Sequence, residues 1–376
     1  MKIISLRAAG AMLFLLMAGA AFGEENEDAD YEIAIGVTSV FQGSPGASDA
    51  DMEGAFKPSM SFDIELTARP QKSGTAFIKF KSGAGEGLDA HIPTFSGFNA
   101  DADDSFNMRP SEAWYEYSFG EKLRLRAGKI DITTDFDTNA AANSETDQFL
   151  SSGFINNLAA AFPDDNSLGA MLWAAPNEFL DLGFGYADAA ADWGNVFDNP
   201  FFILEFGLKP MIADRQGNYR FYGWHNGKDH ERISNSEEIE TDANYGYGIS
   251  ADQEIAEGVT LFARYGRQRG SLSEIGHAWS AGLDISGKFE RRKEDSFGLA
   301  YGQAIIGKNL KSLIQREESF DLGNEHRLEI YYRFKAKDFL NISPNLQWVK
   351  NPAGDKDIGG VWALGVRAQF NFASQW

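Results

Sequence analysis

Residues 361–372 alternate strictly: Trp362, Leu364, Val366, Ala368, Phe370 and Phe372 share one face, and Ala363, Gly365, Arg367, Gln369 and Asn371 share the other. A period of two with one apolar and one mixed face describes a strand set between an apolar and an aqueous phase; a helix would repeat every 3.6 residues. Sixteen segments of this kind can be read, near 31–41, 56–67, 74–82, 111–119, 121–130, 167–175, 179–187, 200–209, 217–225, 244–254, 258–267, 276–286, 295–305, 325–335, 339–350 and 361–372. Connections after even-numbered segments are mostly short, as at Gly120, 176–178 and 336–338, whereas those after odd-numbered segments are often long. A globular sandwich does not produce that asymmetry. An up-and-down barrel does, with short periplasmic turns and long extracellular loops. The predicted fold is all-β, a transmembrane antiparallel up-and-down β-barrel of sixteen strands.

The N-terminus fits an exported chain. Lys2 and Arg7 precede an apolar run over 8–21 and the small-residue site Ala21, Phe22, Gly23, the pattern of a signal peptide spanning 1–23. The barrel domain is then 24–376, and it holds no apolar run of about 18 residues that would cross a bilayer as a helix. Without cysteine, the chain has no disulfides and no thiolate metal ligands. Losing Lys2 and Arg7 with the leader takes the net charge from −21 to −23, which argues against nucleic acid as a partner. The 30 Phe, 12 Tyr and 8 Trp can furnish the aromatic girdles of a membrane barrel.

The long connections are 83–110, 131–166, 226–243 and 306–324. The second is too apolar for a solvated loop, since it carries Phe136, Phe149, Leu150, Phe154, Ile155, Leu158 and Phe162. It is expected to fold inward and pack within the lumen, with a short helix near 144–151.

In segment 121–130, Lys122, Arg124 and Arg126 share a face opposite Leu123, Leu125 and Ala127. Burying such cations against lipid near the midplane would cost about 2–4 kcal/mol each, so this face should line water. In a barrel it becomes a basic ladder on the pore wall, where charge tunes selectivity; in a soluble sheet it would be only a solvated face. By the same parity Arg220, Tyr222 and Trp224 face inward, with Tyr219 and Phe221 outward. An aromatic ring beside a guanidinium suits a sugar, and it suits plain wall packing equally. Glu205, Arg264, Arg333 and Arg367 are further lumen candidates, each as compatible with a structural ion pair.

No histidine pair has metal-ligand spacing, and the acidic runs at 24–30 and 101–104 lack the glycine and spaced ligands of a calcium loop. His225, His230, Asp229 and Ser234 could be assembled into an outer-membrane hydrolase site. The G-x-S-x-G elbow is absent, however, and these residues lie where strand gives way to loop. No catalytic residue, metal or cofactor is expected.

Several stretches together resemble the carbohydrate-selective porin family of the OprB type. They are Gly128, Lys129, Ile130 and Asp131 through Asp135, Asp137 and Asn139; Gln148, Phe149 and Leu150; and Asn156 with Asn157. Gly217 to Phe221 with Gly223 and Trp224, Asp252 with Gln253, and Leu261 through Gly266 follow in order. Glu329, Tyr331 and Tyr332, then Pro344, Leu346 and Gln347, Asn351 and Pro352, and Gly365 through Phe370 close the series. The resemblance is clearest from about residue 128 onward. It implies a sixteen-stranded outer-membrane porin through which small carbohydrates diffuse, past a constriction of charged and aromatic side chains. A general or anion-preferring porin of the same shape is the alternative, and a hydrolase is the more distant one. The implied partners are small sugars as solutes, outer-membrane lipid and lipopolysaccharide, and the barrel assembly machinery, which would read the aromatic-ended last strand at Trp376. A homotrimer is compatible with such a barrel.

Overall fold

A computed structural model describes residues 29–46, 54–234, 238–317 and 321–376, so the predicted signal peptide lies outside the described residues. Sixteen long strands follow one another: β1 (Tyr31–Ser44), β2 (Ser59–Gln71), β3 (Gly74–Ala84), β4 (Arg109–Ser118), β5 (Leu123–Ile130), β6 (Ser167–Asn177), β7 (Leu180–Asp188) and β8 (Pro200–Leu208). Then come β9 (Arg215–Glu231), β10 (Thr241–Ala256), β11 (Val259–Gln268), β12 (Ile275–Ser286), β13 (Ser296–Ile306), β14 (Glu325–Lys337), β15 (Leu340–Lys350) and β16 (Gly360–Gln375). Each predicted segment falls on one of them. Two-residue strands at Ala55–Phe56 and Met211–Ile212 extend the pairing of β1 and β9.

Neighbours pair antiparallel throughout, and β16 pairs back onto β1, from Glu32 opposite Gln375 to Gly43 opposite Leu364. The sheet is therefore a closed barrel without a free edge, which is what hydrocarbon demands of strands whose peptide groups find no water. The alternation read from sequence sets the faces. Along β8, Phe202, Leu204, Phe206 and Leu208 point outward at 39%, 64%, 40% and 39% exposure, while Phe201, Ile203 and Glu205 between them are at most 2% exposed. An apolar face left open in this way matches a lipid solvent, not water.

Connections at one rim are short, as at 72–73, 178–179, 257–258 and 338–339; those at the other include 85–108, 131–166 and 307–324. The apolar interior sits inside the barrel and is built by the first two long connections against the wall. Leu88, Ile92 and Phe98 pack with Val349, Val361 and Ala363. Phe149, Phe154 and Ile155 pack with Phe262, Ala300 and Tyr331. The inward folding expected of 131–166 is observed.

The expected helix near 144–151 is not present. One helical bond forms, Gln148 N–H to Ser144 O (2.8 Å), but the next turn is lost because Glu329 accepts from the N–H groups of Leu150 and Ser151 (2.6 and 3.0 Å), which a helix would bond four residues back. One helical turn forms just beyond, at Ser152–Ile155, where the Ser151 hydroxyl caps the Gly153 N–H. A ten-residue helix that the sequence reading did not assign, Lys308–Glu317, occupies the connection after β13. Its signal was there in Leu310, Leu313 and Ile314, spaced three and four apart.

Two glycines let the loop sit close to the wall. A Cβ on Gly185 would lie 2.8 Å from Ile132, Phe136 and Ile203, and one on Gly266 would lie 2.3 Å from the Asn157 side chain. Asn157 cannot swing aside cheaply, because its amide donates to the Tyr222 hydroxyl (3.0 Å) and accepts from the Ala159 N–H (3.0 Å).

Candidate functional site

Charged side chains on inward faces hold the two loops in place. Arg264 on β11 donates to the carbonyls of Phe154 (2.6 Å) and Asp137 (2.8 Å), and its Nε lies 3.4 Å from the Asp137 carboxylate. Asp137 also accepts from the Asn157 N–H and the Tyr222 hydroxyl (2.7 and 3.0 Å), while its own N–H donates to Glu205 (3.0 Å). It adopts a left-handed backbone, φ 58°, that only local contacts of this kind can over-determine. Glu329 takes two amides from the middle of the loop, and Arg367 donates to the carbonyls of Glu145 (2.6 Å) and Gln148 (3.0 Å).

The other loop is clamped in the same manner. Glu325 accepts from the N–H groups of Phe95 (2.9 Å) and Ser96 (3.0 Å), and Arg327 donates to the Ser96 hydroxyl (2.5 Å) with its guanidinium 4.6 Å from the Phe98 ring centre. The loops are bonded to each other as well: Gly153 N–H and Ser151 Oγ–H both donate to Ser96 O, and Ala100 N–H donates to Leu150 O. They form one unit wedged across the lumen.

Asp101 in loop 85–108 points at Ser61, whose hydroxyl donates to its carboxylate at 2.7 and 2.9 Å. Burial pushes its carboxyl up to about 7, with the charge of Glu145 adding to the effect. A raised carboxyl pKa favours the folded state at low pH. That contribution is lost as pH rises from the ordinary carboxylate value through about 7. Asp101→Asn should therefore melt higher than the native protein at pH 8 by several degrees, with the gap closing near pH 4. A gap of equal size at both pH values would mean that ionisation of Asp101 is not its cause.

Open space remains at the short-turn rim, in two cavities that each have residues of loop 131–166 in their lining. One, of about 510 Å³, is lined by Lys122, Arg124, Glu205 and Arg220, with Lys209, Asp135, Asp181 and Trp173. The other, of about 640 Å³, is acidic, with Glu32, Asp63, Glu65 and Asp338 around Lys79. Lys79 bridges Glu65 at 2.8 Å. Three of the four cations of the first, Arg124, Lys209 and Arg220, are paired, Lys209 with Asp181 at 2.6 Å, and Lys122 has no ion pair among the described residues. Arg124 and Arg126 share Glu116 (3.2 and 2.9 Å) and Asp135 (2.7 and 2.6 Å), and Arg126 stacks 4.1 Å over Trp114. Arg220 bonds Asp252 at 3.1 Å.

The residues singled out in the sequence thus separate. Lys122, Arg124, Glu205 and Arg220 come together at one cavity, with Arg126 behind Arg124. Tyr222 and Trp224 face inward but lie beneath the loop, 3% and 4% exposed, Trp224 packed with Phe201 and against Phe162. Arg264 and Arg367 are buried as loop anchors, and Arg333 sits apart, 3.2 Å from Asp147. Sequence reasoning passed over Trp173, which lines the cavity and tilts against Phe136 at 4.8 Å. Parity on β6 would have found it, because Leu168, Ala170 and Leu172 face out. Among the residues once considered for hydrolysis, His225 is exposed on the outer face and His230 Nδ1 lies 2.7 Å from the Lys228 carbonyl.

Residues 47–372 match the carbohydrate-selective porin family, OprB. The chain belongs to this family. The match begins well before residue 128, where the readable motifs start. Among relatives, a protein of Aquifex aeolicus is 26% identical over 67% of this chain and 65% of its own length. Porin B of Pseudomonas aeruginosa is 22% identical over 35% of this chain and 33% of its own, and Porin AaxA of Chlamydia muridarum 26% over 66% and 52%. The matches thus span less than two thirds of these relatives' lengths. The high-pH structure of Pseudomonas putida OprB superposes with a TM-score of 0.79 at 16% identity, over 91% of this chain and 94% of that one. It shares the fold. Family and closed barrel make this OprB-family porin an outer-membrane protein of a Gram-negative cell, with the architecture of non-enzymatic channels.

Proposed function

We propose that this porin is a passive channel for small hydrophilic solutes with a preference for neutral carbohydrates, exported by the leader 1–23 and oriented with its long connections outward. The observation carrying this reading is the charge balance of the 510 Å³ cavity. Its four cations, Lys122, Arg124, Lys209 and Arg220, face four carboxylates, Glu121, Asp135, Asp181 and Glu205. A sugar hydroxyl both donates and accepts, so an alternating set of fixed donors and acceptors serves it. An ion finds the counter-charges of Arg124, Lys209 and Arg220 already engaged. Trp173 adds an aromatic surface for the apolar face of a sugar ring. An anion-preferring pore needs a ladder of unpaired cations, and the Glu116 and Asp135 pairing of Arg124 and Arg126 beside the single unpaired Lys122 speaks against it.

Liposome swelling with the refolded protein, comparing glucose, a disaccharide and an amino acid of similar size, tests the preference. Swelling governed by size alone would reduce the reading to a general porin. Arg124→Ala leaves one carboxylate in excess, so the permeability ratio of cations to anions should rise about fivefold, the factor for about 1 kcal/mol between unit charges 4 Å apart in water. An unchanged ratio in reversal-potential measurements would place Arg124 off the solute's route.

A further inference from the structure

The outer wall carries a feature that solute passage does not use. On the lipid-facing side of β11 to β15, at the long-connection rim, polar rings bond to one another. The Tyr265 hydroxyl lies 2.8 Å from His277 Nδ1, the Tyr301 hydroxyl 2.6 Å from His326 Nδ1, and Trp279 Nε1–H donates to Gln303 (3.2 Å). Gln303 Nε2 is also 3.3 Å from His326 Nε2. Such groups belong at the headgroup level, where one end of a ring is wet. Two exposed cations flank them. Arg267 stands directly across from His277, and Lys350 directly across from His326. Neither side chain has a hydrogen bond or ion pair among the described residues, whereas Arg269 and Arg232 at the same rim bond Asp242 and Glu240. Four strand steps separate the two cations, roughly 19 Å.

We propose that this face binds a phosphorylated glycolipid headgroup of the outer leaflet, with Arg267 and Lys350 holding phosphates and the His277, Trp279, Gln303 and His326 platform contacting its sugar. Unpaired cations at a bilayer surface attract anionic lipid. Two of them set apart on a polar aromatic platform match a headgroup with two separated phosphates. The inference rests on the outward orientation given above, which is tested separately. The chain has no cysteine, so Asp357→Cys supplies a unique label at the same rim. Labelling of intact cells by an impermeant maleimide is the expected result, and failure to label would overturn the orientation and this site with it.

The site itself is tested by native mass spectrometry of the full refolded protein in nonionic detergent. Diphosphoryl lipid A is the probe, with phosphatidylcholine for comparison. The native protein should retain diphosphoryl lipid A, and Arg267→Gln/Lys350→Gln should lose it about tenfold or more, as expected for two cations at an anionic lipid surface. Arg316→Gln on the nearby helix should not change it. Glucose swelling by the double variant should match the native protein, showing a folded, open barrel. Equal retention by the double variant, or equal retention of phosphatidylcholine, would overturn the proposal while leaving the channel reading intact.

Discussion

Replacing Arg264 with alanine is expected to lower the barrel's stability by about 3–5 kcal/mol and to release loop 131–166 from the wall, because removing one partner of a buried ion pair leaves the other charge uncompensated. Arg264 and Asp137 are 3% and 0% exposed. No water replaces the lost guanidinium without opening the interior. Two loop carbonyls, of Asp137 and Phe154, lose their donor at the same time. Thermal melts of the refolded protein give the stability. Limited proteolysis, with cleavage sites mapped to 131–166, and single-channel recordings with larger, noisier conductance give the loop release. Arg264→Lys should fall between, since an ammonium keeps the charge but not the fork that reaches both carbonyls. A native melting temperature with a protected loop would show that apolar packing alone seats 131–166.

Glu329→Gln should be the second most damaging single change, at about 2–4 kcal/mol, on the basis that hydrogen bonds to a charged group contribute about 1.5–3 kcal/mol each. Glu329 accepts from Leu150 N–H, Ser151 N–H and the Asn345 amide at 2.6, 3.0 and 2.5 Å. Glutamine keeps the shape but turns one acceptor into a donor, so a buried N–H meets an N–H. The expected readout is a lower melting temperature together with faster amide exchange at Leu150 and Ser151. The exposed pair Lys288 and Glu257, 3.0 Å apart at the short-turn rim, supplies the contrast. Glu257→Gln should leave the melt unchanged, since both side chains are solvated. If the two substitutions behaved alike, burial would not be what gives Glu329 its weight.

The barrel was legible because strand alternation is a local property. In β16 the outward run of Trp362, Leu364 and Val366 and the inward run of Ala363, Gly365 and Arg367 follow from a two-residue period that any one segment displays. Sixteen such segments with unequal connections leave little choice of topology, and the excess of phenylalanine in 131–166 announced a loop that needed burial. Parity also assigned Arg124, Arg220, Trp224, Arg264 and Arg367 to the inner face. It could not tell what lies on top of each. Arg124 and Arg220 open on a cavity, whereas Trp224, Arg264 and Arg367 are covered, and that difference comes from where one loop settles. The contacts that settle it join Asp137 to Arg264, Leu150 to Glu329 and Gln148 to Arg367, partners more than a hundred residues apart with no shared period to mark them. Periodicity reports the side of the wall, but only the closed barrel brings distant backbone and charge together, so the division of inward charges between solute path and loop anchor is a property of the tertiary structure.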